Sequence, residues 1–169
     1  MGNLTAHFDS TEFKCPCCGV VKINGDFVKR LEQLYNKMNA KAIVISSGHR
    51  CAKHSVAVGG YANDAHVLGF AADLIVYKQD GTPYTSKTVA YYAEQIGFGG
   101  IGLIDENYIH LDDRDRNQYA NNHWFGNEAT GQTYTTFQNM TVEPIQGTAN
   151  KNHKIKLVID GVTVFERSY

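Results

Sequence analysis

The chain has 169 residues, 43% of them hydrophobic and 20% charged, which suits one globular domain with a real core and leaves too little for a second full one. A formal net charge of -1 and a pI near 6.6 give no sign of a nucleic-acid partner, which usually shows a clustered basic face. No run of about 18 apolar residues predicts a transmembrane helix, and the opening MGNLTAHFDSTEF lacks the basic start and apolar core of a secretory signal.

In DFVKRLEQLYNKMNA the apolar Phe27, Leu31, Leu34, Tyr35 and Met38 recur at helical spacing. They predict an amphipathic helix of about four turns, with Asn24 or Asp26 as its cap. KAIVISSG reads as a buried strand stopped by Gly48. Residues 51–70 show no periodicity and contain Gly59, Gly60 and Gly69, so an irregular loop is expected there. AADLIVY is the next strand, closed by a QDGTPY turn, and TSKTVAYYAEQIGF is a second helix capped by Thr85 or Ser86. GGIGLI and YIHLDD are two short strands joined by DEN as a hairpin. Asp112-Asp113-Arg114-Asp115-Arg116 reads as a solvated rim, and Trp124 and Phe125 as aromatics that bury the tail against the sheet or wall a binding site. From 114 to 152 no element is assigned. HKIKLVIDGVTVFERSY then places two β-branched runs around Asp160-Gly161, the signature of a type I′ hairpin, either added to the main sheet or standing apart. The fold class is α+β: a small antiparallel sheet with flanking helices, plus a C-terminal β-hairpin extension.

The chemistry concentrates in DAHVLGFAAD. His66 and Asp73 are seven positions apart, a separation that neither a helix nor a strand brings onto one face. A loop bearing His66 that feeds a strand opening with Asp73 lets the two converge. On the strand YIHLDD, Tyr108, His110 and Asp112 point one way while Ile109 and Leu111 point into apolar packing. Two imidazoles and a carboxylate from separate elements make a catalytic zinc set, three protein ligands with the fourth position left to water. Such an ion lowers the pKa of its water to about 7 and polarises a carbonyl, which suits amide hydrolysis. His110 taken alone is more often a satisfied strand histidine, and seven histidines make chance pairings common, so the ordered context decides.

That context is similar to the zinc D-alanyl-D-alanine carboxypeptidase family, which includes endolysins cutting L-alanyl-D-glutamate bonds and shares the hedgehog-like peptidase fold. The family pattern of Ser-Gly-Tyr-Arg, His-Asn, Gly-Gly and Ser-x-His-x-x-Gly-x-Ala-x-Asp appears here as Ser47-Gly48-His49-Arg50, His54-Ser55, Gly59-Gly60, and Asp64-Ala65-His66 through Gly69, Ala71 and Asp73. YIHLD at 108–112 resembles the family's later strand, and HFDSTEF its start. The resemblance covers about residues 7–114. It implies a zinc peptidase core over 1–114. The tail has no counterpart in the family, and 115–169 is expected to be an extension packed on the same domain. The resemblance puts His66, Asp73 and His110 on the zinc ligands and Arg50 on the arginine that binds the substrate's carboxylate. The implied partner is a peptidoglycan stem peptide, with neither nucleic acid nor membrane. Two departures, His49 for Tyr and Asp64 for Ser, point to a shifted substrate preference. A third is Asn107, which stands where better-known members have an acidic general base. Asp112, Asp105 and Glu106 are the candidates to replace it, and Asp112 serves equally as a carboxylate orienting a ligand histidine. The alternative reading is a catalytically weak or inactive zinc-containing module that binds cell wall. Without a secretory signal, the expectation is a protein made in the cytoplasm and released to the wall, as a phage or prophage lysin or a virion part.

Cys15, Cys17, Cys18 and Cys51 leave three readings: free or locally structural thiols, a structural metal, or a disulfide.

Overall fold

Asn24 opens the first helix by accepting the backbone N–H groups of Asp26 and Phe27, and α1 runs over Gly25–Lys37. The structure, a computed structural model, describes residues 2–114 and 123–147 together with the backbone of 154–159 and 162–168. After α1 come β1 (Ala42–Ser47), α2 (Ala52–Ala57), α3 (Ala65–Leu68), β2 (Ala71–Tyr77), α4 (Ser86–Ile96), β3 (Gly100–Leu103), β4 (Ile109–Asp112) and β5 (Trp124–Asn127). Thr85 caps α4 by accepting from the Thr88 N–H. No helix among the described residues is long and apolar enough to cross a membrane.

The irregular loop expected over 51–70 is corrected, because α2 and α3 form inside it. They are too short to write a helical period into the sequence. Local chemistry holds α3 instead. The Asp64 carboxylate accepts from the Val67 N–H at 3.0 Å and from the Ser55 hydroxyl, and Gly69 ends the turn at φ 86°.

The main sheet has the order β1-β2-β4-β3-β5, antiparallel except that β5 runs parallel to β3. Strand β5 falls in the stretch where the sequence predicted no element. Strands β6 (Lys154–Ile159) and β7 (Val162–Ser168) form a separate antiparallel pair. The type I′ turn expected at Asp160-Gly161 lies outside the described residues.

Strand alternation gives the sheet two unlike faces. Leu74 opposite Ile109, Ala72 opposite Leu111, and Ile101 and Leu103 opposite the same two residues are all buried in the apolar core, against which α4 packs. Phe98, just past α4, meets Phe27 of α1 edge-on at 6.0 Å between ring centres. The other face carries Asp73 opposite His110, Ala71 opposite Asp112, and Gly102 and Gly100 opposite the same pair. This polar face holds the candidate site.

Candidate metal centre

His66 sits on α3, Asp73 on β2 and His110 on β4, and all three are buried. The structure thus brings together the three residues that the sequence singled out as ligands. His66 Nε2 lies 3.2 Å from Asp73 Oδ1 and 3.2 Å from His110 Nδ1, and His110 Nδ1 lies 2.9 Å from Asp73 Oδ1. A tetrahedral zinc with bonds of about 2.0–2.1 Å separates neighbouring ligand atoms by about 3.3 Å. The observed triangle fits such an ion with small adjustments.

Each imidazole is oriented by its other nitrogen. His66 Nδ1 lies 2.8 Å from the Gly48 carbonyl, and His110 Nε2 lies 2.9 Å from Asp112 Oδ2. An N–H donated there leaves His66 Nε2 and His110 Nδ1 to present lone pairs to the centre, the pattern that fixes the tautomer of metal-binding histidines. Gly48 can be there because it has no side chain: a Cβ would lie 2.5 Å from the Phe13 backbone, to whose carbonyl the His49 N–H donates. His49 is buried, its Nδ1 3.0 Å from the His66 carbonyl, and so it braces the His66 backbone. Asp64 caps the helix that carries His66. His49 and Asp64, two of the three departures from the family pattern, therefore have structural work beside the site.

Burial opposes the charged form of His110, but the Asp112 and Asp73 carboxylates on its two nitrogens outweigh it and push its pKa up to about 10. Burial also raises the Asp73 and Asp112 carboxyls. Hydrogen bonds from His110 and His66 hold Asp73 well below the usual carboxylate range, and those from His110 and Arg114 do the same for Asp112.

Asp112 is fully buried, and Arg114 clasps it through Nε and Nη2, at 2.9 and 2.6 Å from Oδ2, and through its backbone N–H at 2.8 Å from Oδ1. Asp113 is buried beside it and pairs with Arg30. The solvated rim expected over 112–116 is corrected for its first three residues, whose charges turn inward to partners, while Asp115 and Arg116 lie outside the described residues. Arg50 donates Nε to Ser47 Oγ at 2.8 Å and Nη2 to Asp73 Oδ2, so it grips the oxygen of Asp73 that faces away from the triangle. Its Nη1 has no protein partner among the described residues.

Above the triangle opens a cleft of about 530 Å³ lined by Arg50, Tyr61, Tyr108, Arg114, Trp124 and Glu128, with His66, Asp73 and His110 in its wall. Asp105 and Glu106 are absent from that lining. They border a separate depression at the start of α4, where Asp105 Oδ1 accepts the backbone N–H groups of Asn107 and Tyr108. Asn107 also faces away from the cleft and donates to the Tyr84 carbonyl at 3.1 Å.

Sequence reasoning missed Glu128. A Cβ on Gly102 would lie 2.5 Å from Glu128 Oε1 and 2.8 Å from the Trp124 ring. Gly102 pairs directly with His110, and directly opposed residues in an antiparallel pair project to the same face. The glycine therefore leaves room for a carboxylate and an indole next to the metal triangle. The alternation of glycine in GGIGLI was the available signal, since glycine inside a strand marks a close approach of another group. Trp124 also stacks under the Arg114 guanidinium at 5.5 Å, while Phe125 turns to the core and packs on Phe137. The two aromatics divide the two roles foreseen for them.

Two buried imidazoles and one carboxylate meeting at a point below an open cleft are the donor set of a mononuclear metal-dependent hydrolase. The chain belongs to the M15 peptidase family: the family described as Peptidase M15 matches residues 6–112, a span that contains the whole triangle and ends at Asp112. M15 peptidases are zinc-dependent, and these donors suit that ion. No curated protein matches the chain.

Proposed function

We propose that this protein is a zinc peptidase that hydrolyses peptidoglycan stem peptides, with His66, Asp73 and His110 as the zinc ligands. The observation that carries the reading is the donor triangle with an acceptor behind each imidazole, in a chain of the M15 family. Zinc bound there would supply a Lewis acid that polarises the scissile carbonyl and lowers the pKa of water.

The chain's own groups take the remaining tasks. Glu128, in the cleft and over the face that carries His110, accepts a proton from the attacking water and returns it to the leaving nitrogen. Asp112 is enclosed by His110 and Arg114, a position suited to orienting His110 rather than to exchanging protons with substrate. Arg50 holds Asp73 in place and offers Nη1 to a substrate carboxylate, with a planar fork that an ammonium lacks. Burial and the nearby Asp73 charge raise the Tyr108 pKa, so its hydroxyl stays protonated in the cleft and can donate to a developing oxyanion.

The test is mass spectrometry of purified muropeptides after incubation with the zinc-loaded protein. Loss of a terminal alanine identifies a carboxypeptidase, and cleavage within the stem identifies an endopeptidase. Unchanged muropeptides, with protein that still sediments with cell walls, establish the non-catalytic binding module. The support for that rival was Asn107, and Glu128 offers the acid that Asn107 cannot.

A further inference from the structure

We propose that the chain carries a second metal site, a thiolate site for a soft divalent cation such as zinc, built from Cys15, Cys18 and Cys51 and closed by Cys17. The sulfur atoms of Cys15, Cys18 and Cys51 all lie within 4.8 Å of one another. Four thiolates at the usual zinc–sulfur bond of about 2.3 Å stand about 3.8 Å apart, within reach of small side-chain rotations. The Cys17 thiol adjoins that of Cys51 but lies outside this triangle, and rotation of its exposed side chain brings it in as the fourth donor.

The backbone is arranged for this. In Cys15-Pro16-Cys17-Cys18-Gly19 the Gly19 N–H returns to the Cys15 carbonyl at 2.9 Å, with Gly19 at φ 76°, and the Cys15 N–H donates to Val20 at 2.9 Å. The turn aims the N–H groups of Cys17 and Cys18 at the Cys15 sulfur, and the Cys51 N–H reaches the same sulfur at 3.3 Å. Donors gathered around one sulfur stabilise a thiolate, the form that binds metal. Cys51 is the N-cap residue of α2, and its side chain makes no capping bond. That side chain is committed to the sulfur cluster instead.

A disulfide uses two of these sulfurs and leaves the others packed together without bonds, whereas one tetrahedral ion uses all four. Binding displaces the thiol protons to solvent as the sulfur–metal bonds form. The consequence concerns the first site. Cys51 follows Arg50, so the ion staples the turn at 15–19 to the segment that holds Arg50 against Asp73.

The site is tested on the full chain, reduced and reconstituted with cobalt(II) and, separately, zinc(II). Cobalt should give the intense thiolate-to-metal charge-transfer absorption that nitrogen and oxygen ligands cannot produce. His110→Ala should keep that band, so failure of the peptidase site and failure of this one are separable. Cys18→Ser and Cys51→Ser should each abolish the band and lower the metal content by one ion per chain. Should these variants fail to fold, alkylation of the unmutated chain decides: zinc should protect all four cysteines, Cys15, Cys17, Cys18 and Cys51, and a chelator should expose them. Absence of the band, free alkylation with zinc present, or an intact mass showing a disulfide in freshly isolated protein overturns the proposal.

Discussion

His110 on β4 and Asp73 on β2 face each other across the antiparallel pair, with His110 Nδ1 2.9 Å from Asp73 Oδ1. Asp112 takes the other nitrogen of His110 at 2.9 Å. In the metal-free protein His110 is thus an imidazolium held between two carboxylates, with its pKa at about 10. On the proposed ligation, zinc must expel the proton on Nδ1. Its apparent affinity should therefore fall about tenfold for each pH unit of acidification below that value. Competition titrations against a chelator at several pH values check this; a flat profile between pH ~6 and ~8 contradicts it.

The same groups set the stability of the chelated protein. His110 has a raised folded-state pKa, so its contribution is complete below the unfolded value of about 6.5 and disappears as pH rises through about 10. Asp73 and Asp112 have depressed values, so theirs is present above about 3.9 and is lost on acidification. Urea denaturation of the chelated protein should give its highest midpoint between pH ~4 and ~6.5. Zinc should add more stability at pH 8 than at pH 6.

Much of this could be read from residue types and alternation. Strand β2 begins and ends where AADLIVY does, because a continuous apolar run bounded by turns leaves little freedom in its limits. His66, Asp73 and His110 stood out because ligand chemistry is written in residue identity, and the parity of 110 and 112 on one strand put Asp112 beside His110. What escaped depends on contacts distant in sequence. Strand β5 has four residues, and its partner β3 lies more than twenty positions back, so neither length nor alternation announces it. Glu128 escaped for the same reason, with only the glycines of GGIGLI to mark the space it fills. Helix α3 could not show a period, yet its Asp64 cap and Gly69 terminator were both present in the sequence.

Arg50 joins the ligand and the cleft. Arg50→Lys retains a charge but cannot bond Ser47, Asp73 and a substrate carboxylate together. Activity (kcat/KM) should fall by about tenfold or more, most of it in KM if Nη1 binds substrate. Bound zinc should remain close to stoichiometric. A variant equal to the parent makes Arg50 a bystander.

Gly102 and Gly100 separate the cleft from the support beneath it. A Cβ at Gly102 meets Glu128 and Trp124, side chains bordering an open cleft that can swing aside. Gly102→Ala should keep the fold and the metal while turnover falls. At Gly100 the Cβ meets the carboxylate of Asp112, which is fixed by His110 and Arg114. Gly100→Ala should cost about 1–3 kcal/mol of stability, as overpacking of a closed site does. Thermal melts and turnover on the two variants should move in opposite proportions.

Glu128, which lines the cleft, and Asp112, which is buried behind His110, should differ in what their loss removes. Glu128→Gln keeps the shape of the cleft and takes away a proton acceptor, so turnover should drop at least about 10²-fold with zinc affinity unchanged. The acidic limb of the pH–rate profile should go with it. Asp112→Asn removes the charge behind His110 and leaves Arg114 facing an amide, so zinc affinity should weaken by about 10- to 100-fold. With zinc in excess, much of the lost turnover should return. If Asp112→Asn holds zinc at full affinity yet stays inactive, while Glu128→Gln remains active, then Asp112 is the base. Both carboxylates can be assigned from zinc titrations and pH–rate profiles on the same preparations.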